Sequence, residues 1–264
     1  MRVLNRVYKG YCIDLDGTMY RGEERIEGAK EFVEALQEQE IPFVFVTNNS
    51  TATPEDVAAK LTAMDIKVQA SQVMTTALAT AQYIRQQNPN ANVFMIGEKG
   101  LEDALLQNQL RLTEKDADYV VIGMDRELSY EKLAKASVCI QQGATFISTN
   151  KDAAIPTERG FLPGNGSLTS VLSVCTSVNP TFIGKPEPQI MKEALNALGF
   201  HAKDVLMVGD NYDTDILAGI QSEMDTLMVL TGYSTKEDIA VKEAQPTYIM
   251  NDLVEWIEKR QEER

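Results

Sequence analysis

Short apolar runs rich in β-branched residues alternate with stretches of helical periodicity along the whole chain. Tyr11–Leu15 reads as a strand. Ala29, Phe32, Val33 and Leu36 follow at the i, i+3, i+4, i+7 spacing of one helix face. Phe43–Val46 is the next strand, and its unbroken apolarity is that of a parallel strand covered on both sides. Thr53-Pro54-Glu55-Asp56 opens a helix, with Thr53 as N-cap, Pro54 in the first helical position and Asp56 closing a capping box. Val57, Leu61 and Met64 form its inner face. Gln72–Thr75 and the helix Ala77–Gln87 continue the alternation.

Asn88-Pro89-Asn90 is the first strong break. Beyond it Val93–Ile96, Tyr119–Gly123 and Ala144–Thr149 read as strands, each followed by a helix. A polar loop rich in glycine and proline, 150–166, then precedes a helix at Ser167–Ser177. A connection that long without structure of its own is usually functional. After Asn179-Pro180 the alternation resumes, with strands at Thr181–Ile183, Asp204–Val208 and Thr226–Leu230 and helices at Pro188–Leu198 and Asp213–Gln221. The pattern predicts an α/β protein with parallel sheets. Two sheets fit better than one, because about twelve units would crowd a single domain of this length.

Composition narrows the chemistry. Of 264 residues, 44 % are hydrophobic and 24 % charged, the profile of a globular chain with ample material for a core. The net charge is −14. A field of that sign repels nucleic acid and anionic membranes, so neither is an expected partner. It also repels a phosphorylated ligand, so a phosphate site needs its own local cation. No apolar run approaches the ~18 residues of a membrane span, and Met1–Gly17 has neither a long apolar run nor a small-residue cleavage site. Cys12, Cys139 and Cys175 are widely spaced within apolar stretches, which predicts buried free thiols, a reduced compartment and a cytoplasmic protein. The single histidine, His201, lies in a turn signal and is expected to be exposed. Triads, Cys-His pairs and His-rich zinc sites would all have to use it. Carboxylates, hydroxyls, amides and lysine are left to do the work.

Those residue types gather at strand ends. Tyr11–Leu15 runs into Asp14-Leu15-Asp16-Gly17-Thr18. Two carboxylates so close raise each other's pKa unless a cation sits between them; their place at a strand end favours chemistry over a chance turn. A second acidic segment, Val208-Gly209-Asp210-Asn211-Tyr212-Asp213-Thr214-Asp215, also leaves a strand, with Asp210 at its end and Asp215 about one helical turn on. Hard oxygen donors without nitrogen or sulfur partners point to Mg²⁺ rather than zinc. Asp213 is expected to be a helix N-cap. Thr47-Asn48-Asn49-Ser50 offers a hydroxyl and a run of backbone N–H donors suited to phosphate, although taken alone it fits an ordinary polar turn equally well. Lys185, framed by Gly184 on one side and Pro186-Glu187-Pro188 on the other, is a rigidly held cation of the kind a phosphate site here requires.

In this order the four segments resemble the haloacid dehalogenase (HAD) superfamily of phosphohydrolases, over essentially the whole chain. The Thr-Asn-Asn-Ser and Gly-Lys-Pro-Glu-Pro forms, with an α/β insert between them, are most similar to the NagD-like, 4-nitrophenyl phosphatase subfamily. The resemblance implies a Rossmann-like parallel-sheet core at 1–88 and 183–264, with an α/β cap domain inserted at 89–182 over the active site. It implies Asp14 as nucleophile, Asp16 as general acid/base, and Thr47 and Lys185 as phosphate binders, with Asn48 and Asn49 beside them. Mg²⁺ would be held by Asp14, the backbone carbonyl of Asp16 and Asp210, while Asp215 would hold a metal-bound water or orient Lys185. Asn150 and Asp152, on the long polar loop, either contact the leaving group or brace the loop's own backbone. A small phosphorylated metabolite is the expected substrate, and a homodimer through the cap is an expectation of the same kind. A receiver-like module would share the acidic pocket and lysine but has no need of Asp16. A Rossmann-type nucleotide binder would need a glycine-rich fingerprint; Gly164-Asn165-Gly166-Ser167 only half matches and lacks lysine.

Overall fold

A six-stranded sheet, in the spatial order Tyr248–Met250, Asp225–Val229, Val205–Gly209, Gly10–Ile13, Phe43–Thr47 and Val73–Thr75, carries the first of two compact units in the computed structural model. The structure describes residues 6–157 and 159–262. The first five and last two positions of the expected core, and one position of the long loop, lie outside them. This unit takes the chain up to Thr47, Val57–Met74 and everything from Lys185 onward. Neighbours run parallel from Tyr248–Met250 across to Phe43–Thr47. Gly10–Ile13 is the first strand in sequence yet lies inside the sheet, with Ile13 opposite both Val208 and Phe45. Successive strands build outward on one side of it and later strands on the other. The carboxyl end of Gly10–Ile13 is therefore a topological switch point, where the connections diverge and leave a crevice.

The central strands Gly10–Ile13 and Val205–Gly209 are buried throughout, as their unbroken apolarity requires. Helix Ala29–Glu38 buries Ala29, Phe32, Val33 and Leu36, the predicted stripe. Phe32 meets Trp256 of the C-terminal helix Leu253–Glu262 edge to face, centroids 4.6 Å apart. The capping box at Pro54–Ala63 is formed: the Asp56 N–H donates to Thr53 Oγ1 (3.1 Å) and the Thr53 N–H to Asp56 Oδ2 (3.2 Å).

The second unit comprises 48–56 and 75–184. Its five parallel strands lie in the order Thr181–Phe182, Thr145–Ser148, Tyr119–Ile122, Asn92–Ile96 and Arg111–Leu112. Two parallel sheets are thus present, beside two short two-stranded ones, but the division between the units falls elsewhere than expected. Helix Thr76–Gln87, assigned from the sequence to the first part of the core, packs on Lys99–Gln107 of the second unit. Asn88-Pro89 ends a helix; the chain changes unit earlier, at Thr75, where no breaker residue stands. It returns at Lys185 rather than at 183.

Other expectations also change. The long loop carries a hairpin of its own, Ala154–Thr157 paired antiparallel with Gly160–Pro163. Four residues per strand are too few to show a period between flanking glycines and prolines, and Gly160 at φ 104° makes the turn. Cys12 and Cys139 are buried, but Cys175 is exposed. It lies at the margin of a helix–helix seam, Sγ 3.5 Å from the Ser137 hydroxyl, rather than over the sheet. His201 is exposed as expected. Among the described residues no helix is long and apolar enough to cross a membrane.

Candidate active site

The acidic segments converge at the switch point of the first unit. Asp14 follows Ile13 directly, and its N–H still donates to Val208 O (2.8 Å), so the neighbouring strand holds the backbone at the point where the chain leaves the sheet. Asp210 follows Gly209 at the end of the adjacent strand. Asp215 lies in a wide π-type turn, Tyr212–Ile216, that leads into helix Leu217–Gln221. Asp14, Asp210 and Asp215 are all buried, and each offers an oxygen within 4.8 Å of the others.

One cation enters this cluster. Lys185 Nζ donates to Asp14 Oδ1 (2.5 Å), Asp215 Oδ1 (2.7 Å) and Val46 O (2.8 Å), one acceptor for each of its hydrogens. Its side chain is 2 % exposed. Burial alone would lower the ammonium's pKa, but the Asp14 and Asp215 carboxylates outweigh it and hold it raised. The structure thus turns Lys185 inward onto two acids, and Asp215 serves as its second anchor. Thr18 is fully buried between the other pair, its Oγ1 3.2 Å from Asp210 Oδ1 and 3.4 Å from Asp14 Oδ2.

Three carboxylates and one ammonium leave a buried excess of negative charge. Its effect is visible in the acids: burial and then Asp215 push Asp14 well above the usual carboxylate range, against the pull of Lys185. Burial and Asp215 likewise push Asp210 up to about 6, against the Tyr233 N–H and Lys185. A hard divalent cation fits both the all-oxygen donor set and the missing positive charge.

Tight backbone packing shapes the cluster. The Tyr233 N–H donates to Asp210 Oδ2 (2.7 Å), and a Cβ on Gly232 would stand 1.9 Å from the same oxygen. Gly17 combines φ 93° with a hypothetical Cβ 2.3 Å from Asp210. Only glycine permits the Asp14–Thr18 turn and the 231–233 loop to close on that carboxylate. Thr231 Oγ1 donates to Gly17 O (2.7 Å) and Arg21 Nε to Thr231 O (2.8 Å), tying the two loops together.

Asp16 stands apart from these acids. Its side chain is exposed, yet partial loss of hydration raises its pKa, with Lys60 pulling the other way. The Lys60 ammonium sits 4.2 Å from the centroid of the Tyr20 ring. Two carboxylates two residues apart therefore occupy different environments, the pattern that separates a nucleophile from an acid/base. Asp213 is not the N-cap expected of it. Asn211 takes that place, its Oδ1 accepting the Asp213 N–H (3.0 Å), while Asp213 points outward to Lys242 (2.6 Å). The asparagine one position earlier than Tyr212 is the better placed acceptor because the turn begins at Tyr212.

Thr47 ends the strand next to Asp14's, half-buried. From Asn48 the chain belongs to the second unit, and there the loop candidates join it. Asn48 Nδ2 donates to both oxygens of Asp152 (3.1 and 3.3 Å). Asn150, buried, donates from Nδ2 to Asn48 O (2.9 Å) and accepts the Asp152 N–H on Oδ1 (3.1 Å). Asn49 Oδ1 accepts from the Thr51 N–H (2.7 Å) and Thr51 Oγ1 (2.9 Å), shaping the turn after the strand. Asp152 thus meets the Asn48 side chain and Asn150 its backbone carbonyl, pairings across about a hundred residues. Sequence reasoning missed the 231–233 loop and the placement of Thr18 between the acids; the signal for the loop was a glycine just past a buried strand.

Comparisons with known proteins show what the chain is similar to. A family model described as haloacid dehalogenase-like hydrolase matches residues 11–111, and one described as HAD-hydrolase-like matches 182–256. The chain is 54 % identical over 252 residues to the 5'-nucleotidase YutF of Bacillus subtilis, covering 96 % of this chain and 98 % of that one. It is 54 % identical to an acid sugar phosphatase of Staphylococcus saprophyticus, with 96 % and 98 % covered. A crystal structure of a double mutant of the thermostable NPPase from Geobacillus stearothermophilus superposes with a TM-score of 0.90 at 50 % identity, covering 95 % and 98 %. The chain belongs to the haloacid dehalogenase-like hydrolases. Within that family it is a phosphatase, similar to the p-nitrophenyl phosphatases.

Proposed function

We propose that this phosphatase is a Mg²⁺-dependent enzyme that cleaves small phosphate monoesters through an aspartyl-phosphate on Asp14. The observation that carries the reading is the buried cluster of Asp14, Asp210 and Asp215 around Lys185 at the switch point, with Asp16 outside it. Nucleotide monophosphates, sugar phosphates and p-nitrophenyl phosphate are the substrate classes to expect, because relatives more than half identical bear the names 5'-nucleotidase and acid sugar phosphatase, and similar structures are titled p-nitrophenyl phosphatase.

Asp14, Asp210 and the backbone carbonyl of Asp16 would hold the ion, which when bound neutralises phosphate charge and keeps Asp14 ionised. The Asp14 carboxylate attacks phosphorus in line; its bond to phosphorus forms as the ester P–O bond breaks, and the bonding pair leaves on the substrate oxygen. Asp16 gives that oxygen a proton, then takes one from the water that hydrolyses the aspartyl-phosphate and restores Asp14. Lys185, anchored by Asp215 and Val46 O, fixes the Asp14 rotamer and supplies positive charge beside the reacting centre. Thr47, Asn48 and Asn49 hold the phosphoryl oxygens, and Asn150 and Asp152 fix the position of Asn48.

The test is phosphate release from a panel of these monoesters, with Mg²⁺ and with chelator, for wild type and two variants. Chelation and Asp14→Asn should each abolish turnover. Asp16→Asn should cost roughly 10²–10⁴-fold on alkyl phosphates and much less on p-nitrophenyl phosphate, whose leaving group needs no proton. Turnover by Asp14→Asn at the wild-type rate would assign the nucleophile wrongly.

A further inference from the structure

Gly164-Asn165-Gly166-Ser167 matches no nucleotide loop, and the mechanism leaves it unused, yet both of its glycines lie hard against the backbone of the long loop. Asn165 opens helix Asn165–Thr176 and is 2 % exposed. Its Nδ2 lies within reach of four acceptors: Asn150 O (2.9 Å), Ser148 Oγ (3.0 Å), Thr149 Oγ1 (3.2 Å) and Ile122 O (3.4 Å). Those acceptors come from the carboxyl ends of two adjacent strands and the first residue of the loop. Its Oδ1 is buried and meets no hydrogen-bond donor among the described residues.

The flanking glycines do a related job. A Cβ on Gly164 would stand 2.2 Å from Asp152 O, and one on Gly166 2.3 Å from Lys151 O. The Gly166 N–H donates to Asp152 O (2.9 Å) and Ser167 Oγ to Ala153 O (2.6 Å). The carbonyls of Asn150, Asp152 and Ala153 are thus fastened to the start of the helix, and that of Lys151 lies against Gly166. From there Asn150 and Asp152 reach Asn48, the residue after Thr47.

We infer that Asn165, in its glycine frame, is a positioning residue that sets the place of Asn48 at the phosphate through Asn150 and Asp152. The inference rests on the reading of Asn48 as a phosphate-side residue. Because the phosphoryl group is common to every substrate, loss of the device should weaken all of them by the same factor, whereas a residue recognising the leaving group would change their ranking.

The experiment measures kcat, KM and the inhibition constant of inorganic phosphate for the full-length enzyme across a panel of sugar phosphates, nucleotides and p-nitrophenyl phosphate. Asn165→Ala should raise KM and the phosphate inhibition constant by about tenfold, equally for all substrates, the effect of losing one well-made hydrogen bond in the frame. Gly166→Ala keeps every hydrogen-bonding group and favours the helix, yet drives a methyl group against Lys151 O; it should produce the same KM effect even where Asn165→Ala folds poorly. Thr169→Val is the control from the same buried cluster: Thr169 Oγ1 meets Asn165 O and Ser148 Oγ but makes no bond to the loop. It should lower the Tm and leave KM unchanged. Asn48→Ala, measured alongside, separates the two ways of failing. If Asn48→Ala leaves phosphate affinity intact, the reading of Asn48 falls and the inference with it. If Asn48→Ala weakens phosphate while Asn165→Ala and Gly166→Ala change only Tm, or change the ranking of substrates, the inference alone is overturned.

Discussion

The acid cluster of the first unit and the amide network of the second are both assembled at the carboxyl ends of parallel strands, but from opposite materials. Asp14, Asp210, Asp215 and Lys185 place formal charges where water is excluded, and the carboxylates outnumber the cation. Asn48, Asn150 and Asn165 bring neutral amides, and Asn48 holds the Asp152 carboxylate. A buried charge is stable only while its partner is present. A neutral hydrogen bond is worth little net, but it fixes a direction without any dependence on ions or protons. The first arrangement stores free energy that a divalent ion and a phosphate can release. The second holds a frame still.

The largest expected difference comes from removing one partner in each region. Lys185→Met keeps the volume and deletes the ammonium that pairs with Asp14 and Asp215, leaving both buried without it; about 3–5 kcal/mol of stability should be lost in metal-free buffer. Asn150→Leu removes the bonds to Asn48 O and the Asp152 N–H and should cost about 1–3 kcal/mol. Denaturant melts of both, at pH 5 and pH 8, check the pair. The Asn150→Leu loss should be the same at the two pH values, and a loss as pH-dependent as that of Lys185→Met would erase the distinction between the regions.

A smaller effect sharpens it. Asp14 and Asp210 have folded-state pKa values above those of the unfolded chain, with Asp210 at about 6. Groups raised in this direction favour folding while protonated, and that contribution is lost as pH rises through the folded values. The metal-free protein therefore pays its electrostatic cost at pH 8 rather than at pH 5. Because an ion takes the place of those protons, the rise in Tm on adding Mg²⁺ should be greater at pH 8 than at pH 5. Equal rises at both would mean that the cluster holds no strained carboxylates. Wild type and Asn165→Ala should show the same pH trend, since the amide network carries none of it.

Much of this was readable before any coordinates. The alternation of strand and helix, the buried stripe of Ala29–Glu38, the Thr53–Asp56 capping box and the acids at two strand ends are local features, written in spacings of a few residues and governed by backbone geometry. The same local reading gave too much to Asp213, because an N-cap depends on where the turn begins, and placed the unit boundary at Asn88-Pro89, because a helix breaker and a change of unit look alike in one dimension. It made Cys175 an interior residue because apolar neighbours in sequence do not say where a helix meets its neighbour.

What the chain determined by itself was therefore the set of chemical groups and the strand ends on which they stand. Only the tertiary structure decided their company: that Lys185 turns inward to Asp14 and Asp215, that Gly232 lets a loop close on Asp210, and that Asn165 reaches Asn150 and through it Asn48. Those partners lie tens to hundreds of residues apart, and their contact depends on sheet order and on the close approach that a missing Cβ allows. No period or spacing along the chain encodes such distances, because they follow from packing, and packing is a property of the whole fold.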